Sequence, residues 1–178
     1  MAYNAFGYVA PKAELLSVGL LDLKIGNIQP SSKPNFFVAP YVVTGGLGTP
    51  EITITYPGSN VVSFDAESIA SGCYVATNNG AAAPAIACTI RYTGRKAVTD
   101  EEVIFDKAFT VGPQSVIGIS LPPVPVQKVV FPATFKGLKS LKPKVIVPAL
   151  PVLTGLDGPL KTIQMAFDYF TYTAYVKN

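Results

Sequence analysis

Histidine is missing from all 178 residues, and so is tryptophan. Without an imidazole there can be no Ser-His-Asp triad, no Cys-His nucleophile pair and no histidine-bound metal. Without an indole, the largest flat aromatic surface for stacking on a sugar ring is gone too. Charge is scarce: Asp, Glu, Lys and Arg together make up 14% of the chain, against roughly 25% in an average soluble domain. A surface so short of charge must be covered by Ser, Thr, Asn, Tyr and backbone. The 14 basic and 11 acidic residues leave a formal charge of +3, too slight to argue for a nucleic-acid partner. No apolar run approaches the roughly 18 residues of a membrane span. The longest candidate, 144–153, is broken by Pro148 and Pro151. Asn-x-Ser/Thr sequons are absent, and the opening MAYNAFGYVAP lacks the basic and apolar regions of a signal peptide. A mature secreted chain and a cytosolic one both fit that beginning.

What is abundant points one way. Sixteen prolines and fifteen glycines break the chain at short intervals and leave little room for helices. Thr, Val, Ile, Tyr and Phe fill the intervals, and these suit pleated, half-buried surfaces. The length fits one domain with a real core, with residues 1–14 as a leading arm.

Strand patterns follow in order. Residues 15–28 alternate through Leu16, Val18 and Leu20, although Leu16, Leu20 and Leu23 would also share a helical face; Gly19 and Gly26 favour the strand. Residues 36–43 resume strand character, interrupted by Pro40, which suits an edge or a bulge. The cleanest alternation is 51–56, with Ile52, Ile54 and Tyr56 on one face. Pro57 and Gly58 make a turn before a short strand at 61–65. Strands at 72–77 and 85–93 then carry Cys73 and Cys88, with a turn at 94–96. In 100–111, Val103, Phe105 and Phe109 share a face with Lys107 as the odd member. Further strands are expected at 115–121 and 126–131, a short one at 135–141, and a proline-broken edge segment at 142–152. The closing strand, 162–176, sets Ile163, Met165, Phe167 and Tyr169 against Gln164, Ala166 and Asp168. About ten short strands between turns predict an all-β fold, a two-sheet antiparallel β-sandwich of jelly-roll or Ig-like Greek-key type.

The two cysteines read either as a disulfide made in an oxidising compartment or as buried thiols in a cytosolic protein. The Pro-, Thr- and Tyr-rich texture favours the disulfide. Closing a loop of about 15 residues stabilises a fold by on the order of 3 kcal/mol in the chain-entropy model.

Chemistry-bearing clusters are few. Asp100, Glu101 and Glu102 form the densest acidic group, which reads as a solvated turn. Lys136, Lys139, Lys142 and Lys144 form a basic stripe, which reads as protection of an edge strand. The segment TGGLG at 44–48 lacks the Lys-Ser/Thr ending of a phosphate loop. Asp168 interrupts a very apolar strand, where it could hydrogen-bond locally or serve a structural Ca²⁺; Asp22 is the other candidate ligand. No other cofactor is implied. Tyr169, Tyr172 and Tyr175, beside Asp168, are the candidates for stacking on a sugar and bonding its hydroxyls.

The run GCYVATNNGAAAPAIACTIRYTGRKA resembles the Cys…CTI-x-x-x-G-x-K/R-A segment of small secreted proteins from filamentous fungi. FPATFKGLKSL followed by TIQMAFDYFTYTAYV is similar to the ending of those proteins. The resemblance spans roughly residues 61–176 and implies a secreted β-sandwich of the carbohydrate-binding, galactose-binding-like kind. The expectation is therefore a non-catalytic extracellular or cell-wall protein whose partner is a polysaccharide. A self-assembling coat or host-interaction protein, homo-oligomeric in that case, is the alternative. A glycoside hydrolase is the remaining one.

Overall fold

Proline and glycine punctuation leaves strands and turns, and no α-helix forms among the described residues. The computed structural model of the chain describes residues 7–8, 28–29, 37–40, 51–56, 58–76, 85–111, 124–148 and 162–177. The early strands are β1 (Gly7–Tyr8), β2 (Ile28–Gln29), β3 (Phe37–Pro40) and β4 (Ile52–Thr53). The middle of the chain forms β5 (Val61–Ala76), β6 (Ala85–Ile86), β7 (Cys88–Lys96) and β8 (Glu102–Phe109). Then come β9 (Val124–Pro125), β10 (Gln127–Val130), a 3₁₀ turn at Ala133–Phe135, β11 (Leu138–Pro148) and β12 (Thr162–Val176). The all-β class read from the sequence is the class observed. Among the described residues pairing is antiparallel, apart from the short parallel pair β2–β9.

Two groups of strands carry the fold. In one, β7 lies between β8 and β11, and β11 continues to β4 and β1. In the other, β5 is central: β12 runs along one edge, followed by β3, while β10 and β6 share the opposite edge. A single register pair, Leu138 with Phe64, joins the groups into one ten-stranded hydrogen-bonded sheet. Elsewhere they meet through side chains. Strand β7 turns Cys88, Ile90, Tyr92 and Gly94 inward in strict alternation. These face Phe64, Ile69 and Cys73 of β5 within one buried cluster that also takes in Phe131, Phe135, Leu138 and Leu141. Phe131, just before the 3₁₀ turn, and Phe135, its last residue, stack at 5.1 Å. Tyr92 meets Phe131 edge-on, also at 5.1 Å.

The disulfide Cys73–Cys88 links β5 to β7, which share no backbone pairing, across a Cα separation of 6.3 Å. The sequence places the two cysteines on successive strands, 72–77 and 85–93. The strand that pairs back onto β5 is β6, with Ile86 opposite Cys73. The chain then leaves that edge at Ala87 and enters the other group at Cys88. The bond therefore ties the two groups together.

Several expected boundaries moved. The separate strands at 61–65 and 72–77 are one strand, because the small residues between them are held by β12 and β10. The strong alternation at 51–56 yields only two strand residues. Thr53 Oγ1 accepts the Thr55 N–H at 3.0 Å, bending the chain away so that Thr53 and Ile54 are both buried. The turn around Gly58 is as expected: Gly58 has φ +82° and the Ser59 N–H donates to Tyr56 O. The turn placed at 94–96 lies instead at 97–100, with Asp100 at φ +62°. Gly94 stays inside β7, where a Cβ would sit 3.0 Å from both Leu138 Cδ2 and Val103 Cγ2.

Where a short strand at 135–141 and an edge segment at 142–152 were expected, residues 138–148 form one strand, β11, with Pro143 fully buried, and 149–152 fall outside the described residues. Beyond Leu141, β11 pairs with β7 alone among the described residues, which is how a proline is accommodated there. Pro40 lies in β3, which pairs only with β12 among the described residues. The expected strand at 115–121 and nearly all of that at 15–28 fall outside the described residues, as do Asp22 and the TGGLG segment.

Candidate functional site

The sequence pointed to the last strand, and its geometry turns on a bulge. Asp168 pairs with Ala70 and Thr171 with Ser68, so Tyr169 and Phe170 together oppose one residue of β5. Tyr169 takes φ +51°, a conformation few non-glycine residues adopt, and is 51% exposed. Asp168 is buried, and its Oδ1 accepts the Tyr169 N–H at 2.7 Å. The local hydrogen bond foreseen for Asp168 is present. Among the described residues no group of three or more Asp, Glu or Cys side chains is gathered in one place.

A second register shift follows between Thr171 and Tyr172, where Glu67 of β5 is passed over, and the two together separate the three tyrosines. Phe170 and Tyr172 turn toward the core, stacked on each other at 5.2 Å, with Phe170 edge-on to Phe64. Tyr175 points outward and is 46% exposed. The expected trio therefore shares no single face. Tyr172 packs against the core, Tyr169 rides the bulge, and Tyr175 alone joins a polar group on the outer side of β5 and β12.

That group contains two carboxylates that the sequence pattern did not single out. Tyr175 Oη donates to Asp65 Oδ2 at 3.0 Å, and Asp65 Oδ1 accepts the Gly137 N–H at 2.8 Å. Thr173 Oγ1 donates to Glu67 Oε1 at 2.7 Å. The hydrogen bond to Asp65, with the nearby negative charge, holds the Tyr175 phenol above its ordinary pKa. None of the ion pairs among the described residues involves Asp65 or Glu67. A signal for them existed: in SFDAES, Asp65 and Glu67 alternate with Phe64 and Ala66, so they had to face away from the core. The result is an open sheet face with an aromatic ring flanked by hydroxyl and carboxylate groups, chemistry suited to the hydroxyls and C–H faces of a sugar.

At the end of this strand pair a shallow depression of about 450 Å³ is lined by Ile54, Thr55, Tyr56, Ser59 and Val61. Val61 is the register partner of Val176, the neighbour of Tyr175. The Lys177 N–H donates to Asn60 O at 2.8 Å, closing the end of the pair onto the same turn.

The remaining charged clusters are mutually engaged. Arg91 grips Asp106 with two hydrogen bonds of 2.8 Å across β7 and β8. Hydrogen bonding to Arg91 holds the Asp106 carboxyl below its usual range. Asp100 contacts Lys139 and lies 3.5 Å from Arg95; Lys139 holds its carboxyl low as well. Asp100, Glu101 and Glu102 are exposed, as a solvated turn requires. Of the lysine stripe, Lys139 and Lys142 have acidic partners, Asp100 and Glu51. Lys107 takes the odd position on β8, an edge strand among the described residues, where a charge on the core-side face discourages further pairing.

Comparisons of the chain with protein-family models, with curated proteins and with solved structures yield no match.

Proposed function

We propose that the chain is a non-catalytic extracellular or cell-wall protein that binds polysaccharide through the outer face of β5 and β12. The observation that carries this reading is Tyr175, half exposed and hydrogen-bonded to Asp65, with Glu67 and Thr173 beside it. The carboxylates and the threonine hydroxyl would bond sugar hydroxyls while the ring stacks. The buried disulfide supports an oxidising compartment. The likeness of residues 61–176 to secreted fungal β-sandwich proteins points the same way. A sandwich of jelly-roll or Ig-like type is the finer fold that accompanies it, supported by the side-chain contacts between the two strand groups.

Retention on insoluble chitin, β-glucan and mannan tests the reading. Wild-type protein should be held by at least one polymer, and Tyr175→Ala should release it with melting unchanged. Passage of the wild-type protein through all three sinks the proposal. A self-assembling coat component is the competing reading, favoured by β8, which pairs only with β7 among the described residues. Concentration-dependent growth in light scattering, with no retention on polymer, would decide for it.

A further inference from the structure

Among the described residues β8 ends its group of strands, pairing with β7 on one side and with no other strand. The middle of that edge is apolar. Val103, Ile104 and Phe105 stand together, with Ile104 on the outer face and 56% exposed. Such an edge is a template for another strand. Charges flank Ile104 symmetrically: Glu102 and Asp106 lie two residues away, Glu101 and Lys107 three.

The inner two carboxylates already have arginines on β7. Arg91 grips Asp106, and Arg95 lies 3.9 Å from Glu102. Glu101 and Lys107 are exposed, and neither enters an ion pair among the described residues. The Lys96 N–H donates to Glu101 O at 2.9 Å, which carries the ladder one residue past the start of β8. Alternation then puts Glu101 and Lys107 on the core-side face, in line with Val103 and Phe105. Phe105 is held edge-on to Phe131 and Phe135 at 6.4 and 6.3 Å, so the edge is anchored to the core before any partner arrives.

We infer that β8 is the interface of a two-fold homodimer, pairing antiparallel with β8 of a second copy about Ile104. Residues opposite each other in such a pair share a face. In this register Ile104 meets the partner's Ile104, Val103 meets the partner's Phe105, and Glu101 meets the partner's Lys107. The two charges left without ion pairs thereby neutralise each other, twice over by symmetry. Glu102 meets the partner's Asp106, but this like-charged pair lies between Arg95 and the partner's Arg91. Other centres lose the match. A pair centred on Phe105 sets Lys107 opposite Val103, one centred on Asp106 sets it opposite Phe105, and one centred on Val103 sets it opposite Thr99. The lysine that discourages chance pairing at this edge thus selects one register. A two-fold contact is closed, so assembly ends at the dimer. None of these residues lies on the β5–β12 face, so the dimer stands or falls apart from the polysaccharide reading.

Sedimentation velocity of the full chain, at concentrations up to about 1 mM, provides the test. Wild-type protein should form a reversible dimer and nothing larger. Lys107→Glu makes both Glu101 contacts repulsive and should weaken the dimer roughly tenfold, as should Glu101→Lys. Glu101→Lys combined with Lys107→Glu restores opposite charges and should regain the wild-type dissociation constant. Both side chains are exposed, so melting should hardly move in any of the three. Ile104→Cys brings two thiols together at the axis and should give a covalent dimer on mild oxidation, whereas Ala108→Cys, away from the axis, should not. A chain that stays monomeric throughout, or grows past the dimer, overturns the inference. So does a dimer equally strong in Lys107→Glu and in the charge-swapped variant, or one that Ala108→Cys crosslinks as readily as Ile104→Cys.

Discussion

Tyr92 Oη on β7 lies 2.7 Å from Ser71 Oγ on β5, and both side chains are buried. The two strands share no backbone hydrogen bonds, so this polar contact and the nearby disulfide fix how the strand groups face each other. Burial drives the Tyr92 phenol well above its ordinary pKa, with the Ser71 hydrogen bond acting in the opposite sense.

Tyr92→Phe strands the Ser71 hydroxyl in the core and should cost about 1–3 kcal/mol in chemical denaturation. Tyr92→Phe combined with Ser71→Ala removes both partners and should recover part of that loss. Equal losses in the single and double variants would show that the hydroxyl pair is not the source.

Alkaline stability should bend at the tyrosines. Tyr74 and Tyr92 are both raised by burial, so the folded state keeps its phenol protons where the unfolded chain releases them. Stability is unaffected below the unfolded tyrosine pKa of about 10 and falls as pH rises above it. A titration of unfolding free energy from neutral to alkaline pH should be shallower in Tyr92→Phe. At the other end, Asp100 and Asp106 are held low by Lys139 and Arg91. Their contribution is present above the ordinary carboxylate range and fades as pH drops through it, and salt should weaken it.

Reduction should loosen the join between strand groups. Breaking Cys73–Cys88, or replacing Cys88 by Ser, should cost about 3 kcal/mol and lower the melting temperature by about 6–12 °C. Retention on polysaccharide at room temperature should change far less. Identical melting with and without reductant would contradict a disulfide in the native protein.

Gly94→Ala should destabilise by about 1–3 kcal/mol, because Leu138 is fully buried and has no room to yield to the new Cβ. A gain in melting temperature would mean that Leu138 and Val103 repack freely.

Asp168→Ala removes the acceptor that holds the Tyr169 bulge and should cost about 1–3 kcal/mol. Asp168→Asn keeps a carbonyl oxygen in place and should cost less. Chelator should leave wild-type melting unchanged if this hydrogen bond, and no structural Ca²⁺, is what Asp168 provides. A drop in melting on chelation, restored by Ca²⁺, would overturn that assignment.

Composition and period decided much of this protein. Proline and glycine spacing excluded helices from the described residues, and the alternation at 162–176 marked β12 from end to end. The Val103, Phe105 and Phe109 face of β8, the turn at Gly58, and Cys73 with Cys88 as partners were all readable, because each depends on neighbours in the chain or on residue type alone. Tertiary contacts decided the rest. Whether 61–65 and 72–77 join depends on β12 and β10 lying alongside. Whether Pro143 sits at an edge or beside β7 depends on which strand arrives there. The tyrosines show the limit most clearly: a period of two assigns Tyr169 to the buried face, yet an extra residue on β12 at Tyr169–Phe170, answered by one on β5 at Glu67, turns it to solvent. It also sends Tyr172 inward and leaves Tyr175 beside Asp65. A bulge is a disagreement in length between two strands, so it appears only when they are paired.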